Sequence, residues 1–408
     1  MSSWKFLLIF LSLPSWMFAQ FGCTDPLAEN FDPTAQWNDG SCEYLPTSIV
    51  PNLLSNLPED VRETSGILVD ENGIWTHNDS GHTPALFLLH PTQFTLERVL
   101  AIKNAPNIDW EELTRNETHV FIGDFGNNNG NRQDLRILRF EKHLLNDVSL
   151  DSIEVDVISF HYPDQTDFTS SSNHSFDCEA FVFHNDSLHL FTKHWGNEFT
   201  KHYVLPNELG HHTAILRDSI WVGGQVTASA IQGDSLIALI GYAPPFYEPF
   251  MFLLWDFEFG LPFSGNKRRV EMGTLNDMGQ QEAIAFTNDF KGYITSEELT
   301  QINRPARIYA FDIGHLFSLA SLDELLSHET VQVFPNPTTD FLKVTVPSKL
   351  TTDLKLFVYA INGQLVLTHQ NLINNETINV GHLQRGTYQI VIMDEQNKVL
   401  KRECIVKQ

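Results

Sequence analysis

The chain has 408 residues, 42% of them apolar and 19% charged, enough for two or three domains with a sizeable buried core. Acidic residues outnumber basic ones 51 to 26, a formal charge of −25 at pH 7. Nucleic-acid phosphates and anionic membrane surfaces repel such a polyanion, which excludes both as partners and leaves a soluble extracellular protein or a cation binder.

Residues 1–19 carry one early charge, Lys5, then an apolar run over 6–11, and end Ala19-Gln20. This is the pattern of a secretory signal peptide cleaved after Ala19. The run is too short for a spanning helix and no other stretch is long enough, so the mature protein is expected to have no transmembrane helix. Residues 20–43 offer no apolar face to bury, so burial alone cannot fold them. Cys23 and Cys42 bracket the segment, and a bridge between them would stabilise it by about 3 kcal/mol on the chain-entropy model. Asp25, Asp32 and Asp39 are spaced through it and are oxygen donors suited to calcium. A stapled spacer without metal is the alternative. The segment resembles the G-C-T-D…D-G-S-C repeats of secreted bacterial proteins, present here in one copy.

From residue 44 to 316 a pattern of short strands restarts about every 50 residues, the period of a propeller. Five units are readable. They start at Glu63, Asp109, Asp177, near Thr227, and at Gln281. Each holds three or four apolar stretches and no long helical period. The predicted fold is therefore all-β, a five-bladed β-propeller. The fifth unit lacks an outer strand, and residues 44–54 are expected to supply it and close the ring. The length of the second unit keeps a six-bladed ring as the alternative.

Glu63, Glu111, Glu179 and Glu282 align at the start of the first strand of their units, with Ser229 in the same slot of the fourth. In a propeller that strand lines the channel, so these carboxylates are expected to share one axial space. Asp109 and Asp177, two residues earlier, fall on the same face. Crowded carboxylates must gain protons or a cation, and calcium accepts many such oxygens. The alternative is that each accepts backbone N–H groups and ties the blades together. Where the second strand ends, a further set collects: His77, Asp79, Asp124, Lys193, His194, Trp195, Tyr242 and Glu297. Arg132 closes a Gly/Asn-rich loop at the same mouth. Trp195 and Tyr242 are suited to stack on a carbohydrate or other flat small ligand. Ordinary turn chemistry is the alternative for the Asn, Asp and Gly residues.

No G-x-S-x-G, H-E-x-x-H or Walker motif occurs. Cys178 lies between Asp177 and Glu179, which disfavours a thiolate nucleophile, and alternation turns it into the blade core. The residues therefore favour a cation- or ligand-binding module. A calcium-assisted hydrolase, such as a phytase-like phosphoesterase or a lactonase, is the alternative by analogy of fold alone.

Beyond a linker at 317–330, residues 331–408 contain Phe334-Pro-Asn-Pro337, the turn dipeptide Asn362-Gly363, and Leu383-Gln-Arg-Gly-Thr-Tyr388, and end in a basic stretch. Short alternating strands between such turns predict a small Ig-like β-sandwich. These motifs, in this order, resemble the C-terminal sorting domain of the type IX secretion system. The resemblance implies that the secretion machinery is a partner through residues 331–408. It also implies export across an outer membrane of a Gram-negative bacterium, removal of this domain, and a final place in the medium or on the cell surface.

Overall fold

The computed structural model describes residues 20–288, 290–317, 331–346, 354–360, 364–373, 376–394 and 399–408. The predicted signal peptide, most of the predicted linker and the Asn362-Gly363 turn lie outside the described residues. The chain forms two compact units, 1–316 and 317–408.

The first unit is a five-bladed propeller. Blade 1 comprises Thr64–Val69, Ile74–Asn78, Ala85–Leu89 and Leu96–Ile102. Blade 2 comprises Trp110–Arg115, His119–Asp124, Arg136–Glu141 and Asp156–His161. Blade 3 comprises Asp177–His184, Ser187–Lys193, Phe199–Pro206 and Ile215–Trp221. Blade 4 comprises Gln225–Gln232, Leu236–Ala243, Glu248–Trp255 and Asn266–Glu271. Blade 5 takes Gln281–Asn288, Lys291–Ser296 and Arg307–Asp312 from the end of the unit and Asn52–Asn56 from its beginning. The first strands of successive blades pack side by side, and those of blades 5 and 1 close the circle.

Closure thus comes from Asn52–Asn56, at the edge of the expected segment. The earlier part of that segment goes elsewhere: Thr47–Ser48 adds in parallel to the outer strand of blade 4. The extra length of the second unit builds no sixth blade among the described residues. Part of it, Ser152–Ile153, extends the outer edge of blade 1 in parallel.

Apolar side chains fill the seams between blades. Trp75 and Trp110 are fully buried between blades 1 and 2 with Leu100, Val120 and Ile122. Phe121, Phe125 and Phe181 join blades 2 and 3, where Phe121 stacks on Phe183 at 5.6 Å between centroids. Such aromatic contacts add about 1 kcal/mol beyond the area they bury. Cys178 is a free, buried thiol in this seam, bonded to the Ala180 carbonyl. The N-terminal module is closed by a Cys23–Cys42 disulfide and meets blade 4, where Asn38 donates to the Asp256 carboxylate and to Asn266.

Blade 3 contains a titratable core. His189 and His202 are each 1% exposed and share one hydrogen bond, Nδ1 to Nε2 at 2.9 Å. Burial, with His184 and Arg217 nearby, holds His189 down at about 4; burial, His189 and Arg217 hold His202 at about 3. In the unfolded chain both imidazoles titrate near pH 6.5, so below that pH the unfolded state binds more protons and stability falls with falling pH. The contribution is complete above about pH 7 and declines down to the folded values, by about 2 kcal/mol per histidine at pH 5. A His189→Gln/His202→Gln variant will be less stable at pH 7.5 but will lose less between pH 7.5 and 5 in denaturant titrations. Equal losses in the two proteins would assign the acid sensitivity elsewhere.

The second unit is a two-sheet sandwich. Gln332–Phe334, Phe341–Thr345 and Glu376–Asn379 form one sheet; Leu365–Leu372, Leu354–Ala360, Gly386–Met393 and Val399–Lys407 form the other. Val333, Leu342, Val344, Leu356, Val358, Ile390, Ile392 and Ile405 fill the space between them. Asn336, fixed between two prolines, donates to the Cys404 carbonyl and accepts from the Val406 amide, pinning the entry segment to the last strand.

Candidate metal centre

The first strand of every blade carries a register shift at one equivalent place. The extra residue is Ser65 in blade 1, Glu179 in blade 3, Thr227 in blade 4 and Glu282 in blade 5. In blade 2, Glu111 and Glu112 together oppose Gly123. A bulge leaves its residue unpaired and re-aims the side chain, here into the mouth of the ring. A small residue follows the bulge in four blades: Gly66, Ala180, Ala228 and Ala283.

This phase corrects the sequence alignment at two positions. Glu63 lies two residues before the bulge, level with Asp109 and Asp177 rather than with Glu111. Ser229 lies two residues beyond it, and Thr227 holds the slot. The alignment on Glu63 failed because an inserted residue does not alter the composition of a strand, only its pairing. Glu63 stands at the rim, with its side chain 40% exposed and 4.0 Å from His82.

The second strands contribute Asp79, Lys193, Tyr242 and Glu297, each one residue beyond the partner of the pre-bulge position. Lys193 Nζ donates to Glu179 Oε1 at 2.6 Å and lies over the rings of Trp195 and Tyr242 at 4.8 and 5.3 Å. Trp195 Nε1 donates to Asp177 Oδ2 at 2.7 Å, and the Asn127 amide donates to Oδ1 at 2.6 Å. Gln280 Nε2 holds Glu282 at 2.7 Å. Tyr247, on the loop after Tyr242, extends the aromatic wall at 5.4 Å, and Phe246 beside it is 74% exposed.

Asp79, Asp109 and Glu111 each offer an oxygen within 4.8 Å of the others, and so do Glu111, Asp177 and Glu179. Glu111 is 5% exposed, and no donor to its carboxylate is found among the described residues. Glu179 Oε2 is buried without a partner. Burial first, then the neighbouring carboxylates, pushes these acids up. Asp109 and Glu282 rise to about 7 and Glu297 to about 9, while Glu111 and Glu179 move well above the usual range. Asp79 moves in the same direction, again mainly through burial. Burial opposes the charge on Lys193, but Glu179, Tyr242, Glu282 and Asp177 together hold it firmly protonated. The donor set is all oxygen, flexible in geometry and anionic, which suits calcium.

Gly126 makes this convergence possible. A Cβ there would lie 2.0 Å from Glu111 Oε1 and 2.6 Å from Asp109 Oδ2.

Other predicted site residues have different work. Asp124 is fully buried and accepts from Arg132 at 2.6 Å and Arg136 at 2.8 Å. Arg132 also bonds Asp134 and the Gly126 carbonyl, so it locks the loop at 126–132 instead of facing the mouth. His77 is buried edge-on to Trp110, and burial lowers it to about 4. His194 accepts the Gly196 and Asn197 amides, a turn role. In the N-terminal module, Asp25 accepts from Leu27 and Tyr44, Asp32 from Thr34, and Asp39 from Ser41. Each accepts within its own turn, Asp25 and Asp32 also tie Tyr44 and Gln20 to the module, and the three are not among the described carboxylates that lie within reach of one ion.

Glu112 escaped the sequence reading, although the doubled glutamate was its signal. Fully buried below Glu111, it crosses the channel and accepts the Leu113 amide at 2.8 Å and the Ser229 amide of blade 4 at 3.1 Å. It is a blade-tethering glutamate of the kind the sequence offered as the alternative for its neighbours.

Residues 332–407 match the family model of a secretion system C-terminal sorting domain. The chain therefore carries a type IX sorting signal and is directed to the cell surface or the medium. No curated protein matches the chain. Among solved structures it is similar to PorZ, a surface component of the type IX secretion system of Porphyromonas gingivalis. The identity is 13% and the TM-score 0.32, over 91% of this chain and 48% of PorZ. It is also similar to the extracellular domain of a two-component-system protein from B. thetaiotaomicron, with 8% identity and a TM-score of 0.31. That match covers 89% of this chain and 59% of the other. The chain thus spans about half the length of these structures. Hydrazine synthase of Kuenenia stuttgartiensis is similar at 7% identity and a TM-score of 0.34, over 86% of this chain and 97% of that one.

Proposed function

We propose that this exported propeller is a binding module that holds calcium at the mouth of its ring and uses it, beside Trp195, Tyr242 and Tyr247, to capture an oxygen-rich ligand such as a carbohydrate. Glu111 carries this reading. A nearly buried carboxylate that meets no donor and faces other carboxylates needs a cation or a proton. A calcium-assisted phosphoesterase would need free cationic side chains around the ion. Lys193 is engaged by Glu179, and Arg132 by Asp124 and Asp134, which favours binding over that alternative.

The test is thermal unfolding of the purified protein in calcium, magnesium and chelator. Calcium at 100 times its dissociation constant stabilises the native state by about 2.7 kcal/mol. The melting temperature should then rise by about 5 °C or more, and less with magnesium, which resists dehydration. Glu111→Gln and Gly126→Ala should each remove most of the shift, the second without altering a ligand. A melting curve indifferent to calcium and chelator would overturn the reading.

A further inference from the structure

We infer that the mouth takes two divalent cations, with Glu111 as the carboxylate shared between them; this rests on the cation-binding reading above. The two carboxylate sets overlap only at Glu111. Asp79 and Asp109 lie with it on the side of blades 1 and 2, and Asp177 and Glu179 lie with it on the side of blade 3. As the side chains stand, the oxygens of all five do not lie within 4.8 Å of one another as those of each triplet do, so one ion does not meet all of them. Two ions about 3.5–4 Å apart, joined by one carboxylate, can.

Independent observations support both positions. Glu111 is 95% buried by its 5% exposure and receives no hydrogen bond at its carboxylate among the described residues. It therefore has coordination capacity free for both neighbours. Glu179 divides its oxygens: Oε1 takes Lys193, while Oε2 is buried and unpartnered. A free lone pair thus remains at the second position, on the oxygen that Lys193 does not engage. Asp177 accepts one donor on each oxygen and keeps a lone pair on both.

Charge favours more than one ion. Ionised Asp79, Asp109, Glu111, Asp177 and Glu179 carry five negative charges, against which one divalent ion and the Lys193 ammonium supply three, and Glu282 and Glu297 stand at the same mouth. One ion leaves a buried excess of two negative charges, which a confined, poorly solvated site disfavours. Two ions would also leave coordination positions open toward the mouth, where a ligand with adjacent oxygens could bridge them.

Calcium titration of the full chain, by calorimetry and by equilibrium dialysis, tests this directly. The expected result is two calcium ions per chain that are both weakened by about 100-fold or more in Glu111→Gln. Asp79→Asn should lose one ion and keep the other, and terbium-to-europium energy transfer in the mixed-lanthanide protein should show the two sites in close proximity. A single ion per chain, lost alike in Asp79→Asn and in Glu179→Gln, would overturn the paired site and leave the calcium-binding reading intact. A second ion that survives Glu111→Gln unchanged would place that ion elsewhere and also refute the shared carboxylate. Absence of calcium binding to the native chain would defeat both readings.

Discussion

A chain lacking residues 20–56 will melt about 10 °C or more below the intact protein and will be prone to associate through blade 5. The deletion removes the strand that pairs Asn56 with Arg307, Ser55 with Ile308, Leu53 with Tyr309 and Asn52 with Ala310. The backbone hydrogen bonds of such a strand contribute about 1 kcal/mol each. A kilocalorie moves the midpoint of a domain this large by about 2–4 °C. The exposed edge of Arg307–Asp312 would then be free to pair with another chain. The same deletion removes Thr47–Ser48 from the edge of blade 4 and Tyr44 from its packing on Trp255. A shorter deletion, of residues 20–43, keeps Asn52–Asn56 and separates the contributions. Its melting temperature should fall much less, and adding a peptide spanning 44–57 should recover part of the loss in the longer deletion. Equal melting of the intact and 20–56-deleted chains would mean that the ring does not depend on this closure.

The repeat was legible because inner strands are buried on both faces and read as short apolar runs, as in Leu236–Ala243 and Ala85–Leu89. Closure was legible too, because the fifth unit visibly lacked a strand. The bulge was not. Pairing opposite Asn78 and His77 decides that Ser65 is the extra residue of blade 1, and pairing partners are not written in the strand's own composition. That one feature moved Glu63 to the rim and gave Thr227 the slot assigned to Ser229. Asp124 and Arg132 were singled out for their charge and prove to satisfy each other, since opposite charges twelve or fewer residues apart across a tight loop readily find one another. Gly126 was read only as part of a Gly/Asn-rich loop. Its value lies in the missing Cβ against Glu111 and Asp109 at the start of the neighbouring strand of the same blade, a close approach that the composition of the loop does not show. Asp109, Glu111, Asp177 and Glu179 lie near one another, as their shared strand position suggested, whereas Asp79, read as a mouth residue, joins them and Glu282 falls in neither set.

Truncation after Leu316 will abolish delivery to the cell surface while leaving the propeller folded, with its melting temperature and calcium response unchanged. The propeller and the sorting domain are separate compact units, and the sandwich fills its own core with Val333, Leu342, Leu356, Ile390 and Ile405. The blade seams are likewise filled by side chains of the first unit itself. Export depends on the other unit, because the sorting-domain match spans 332–407. Fractionation should find the truncated chain retained inside the outer membrane in native form, resistant to protease once released. Intact-mass analysis of the exported wild-type protein should show that residues 331–408 have been removed. Normal export of the truncated chain would overturn the assignment of the signal, and a full C-terminus on the mature protein would overturn its removal. Retention accompanied by unfolding would instead show that the two units depend on each other for stability, which their independent cores argue against.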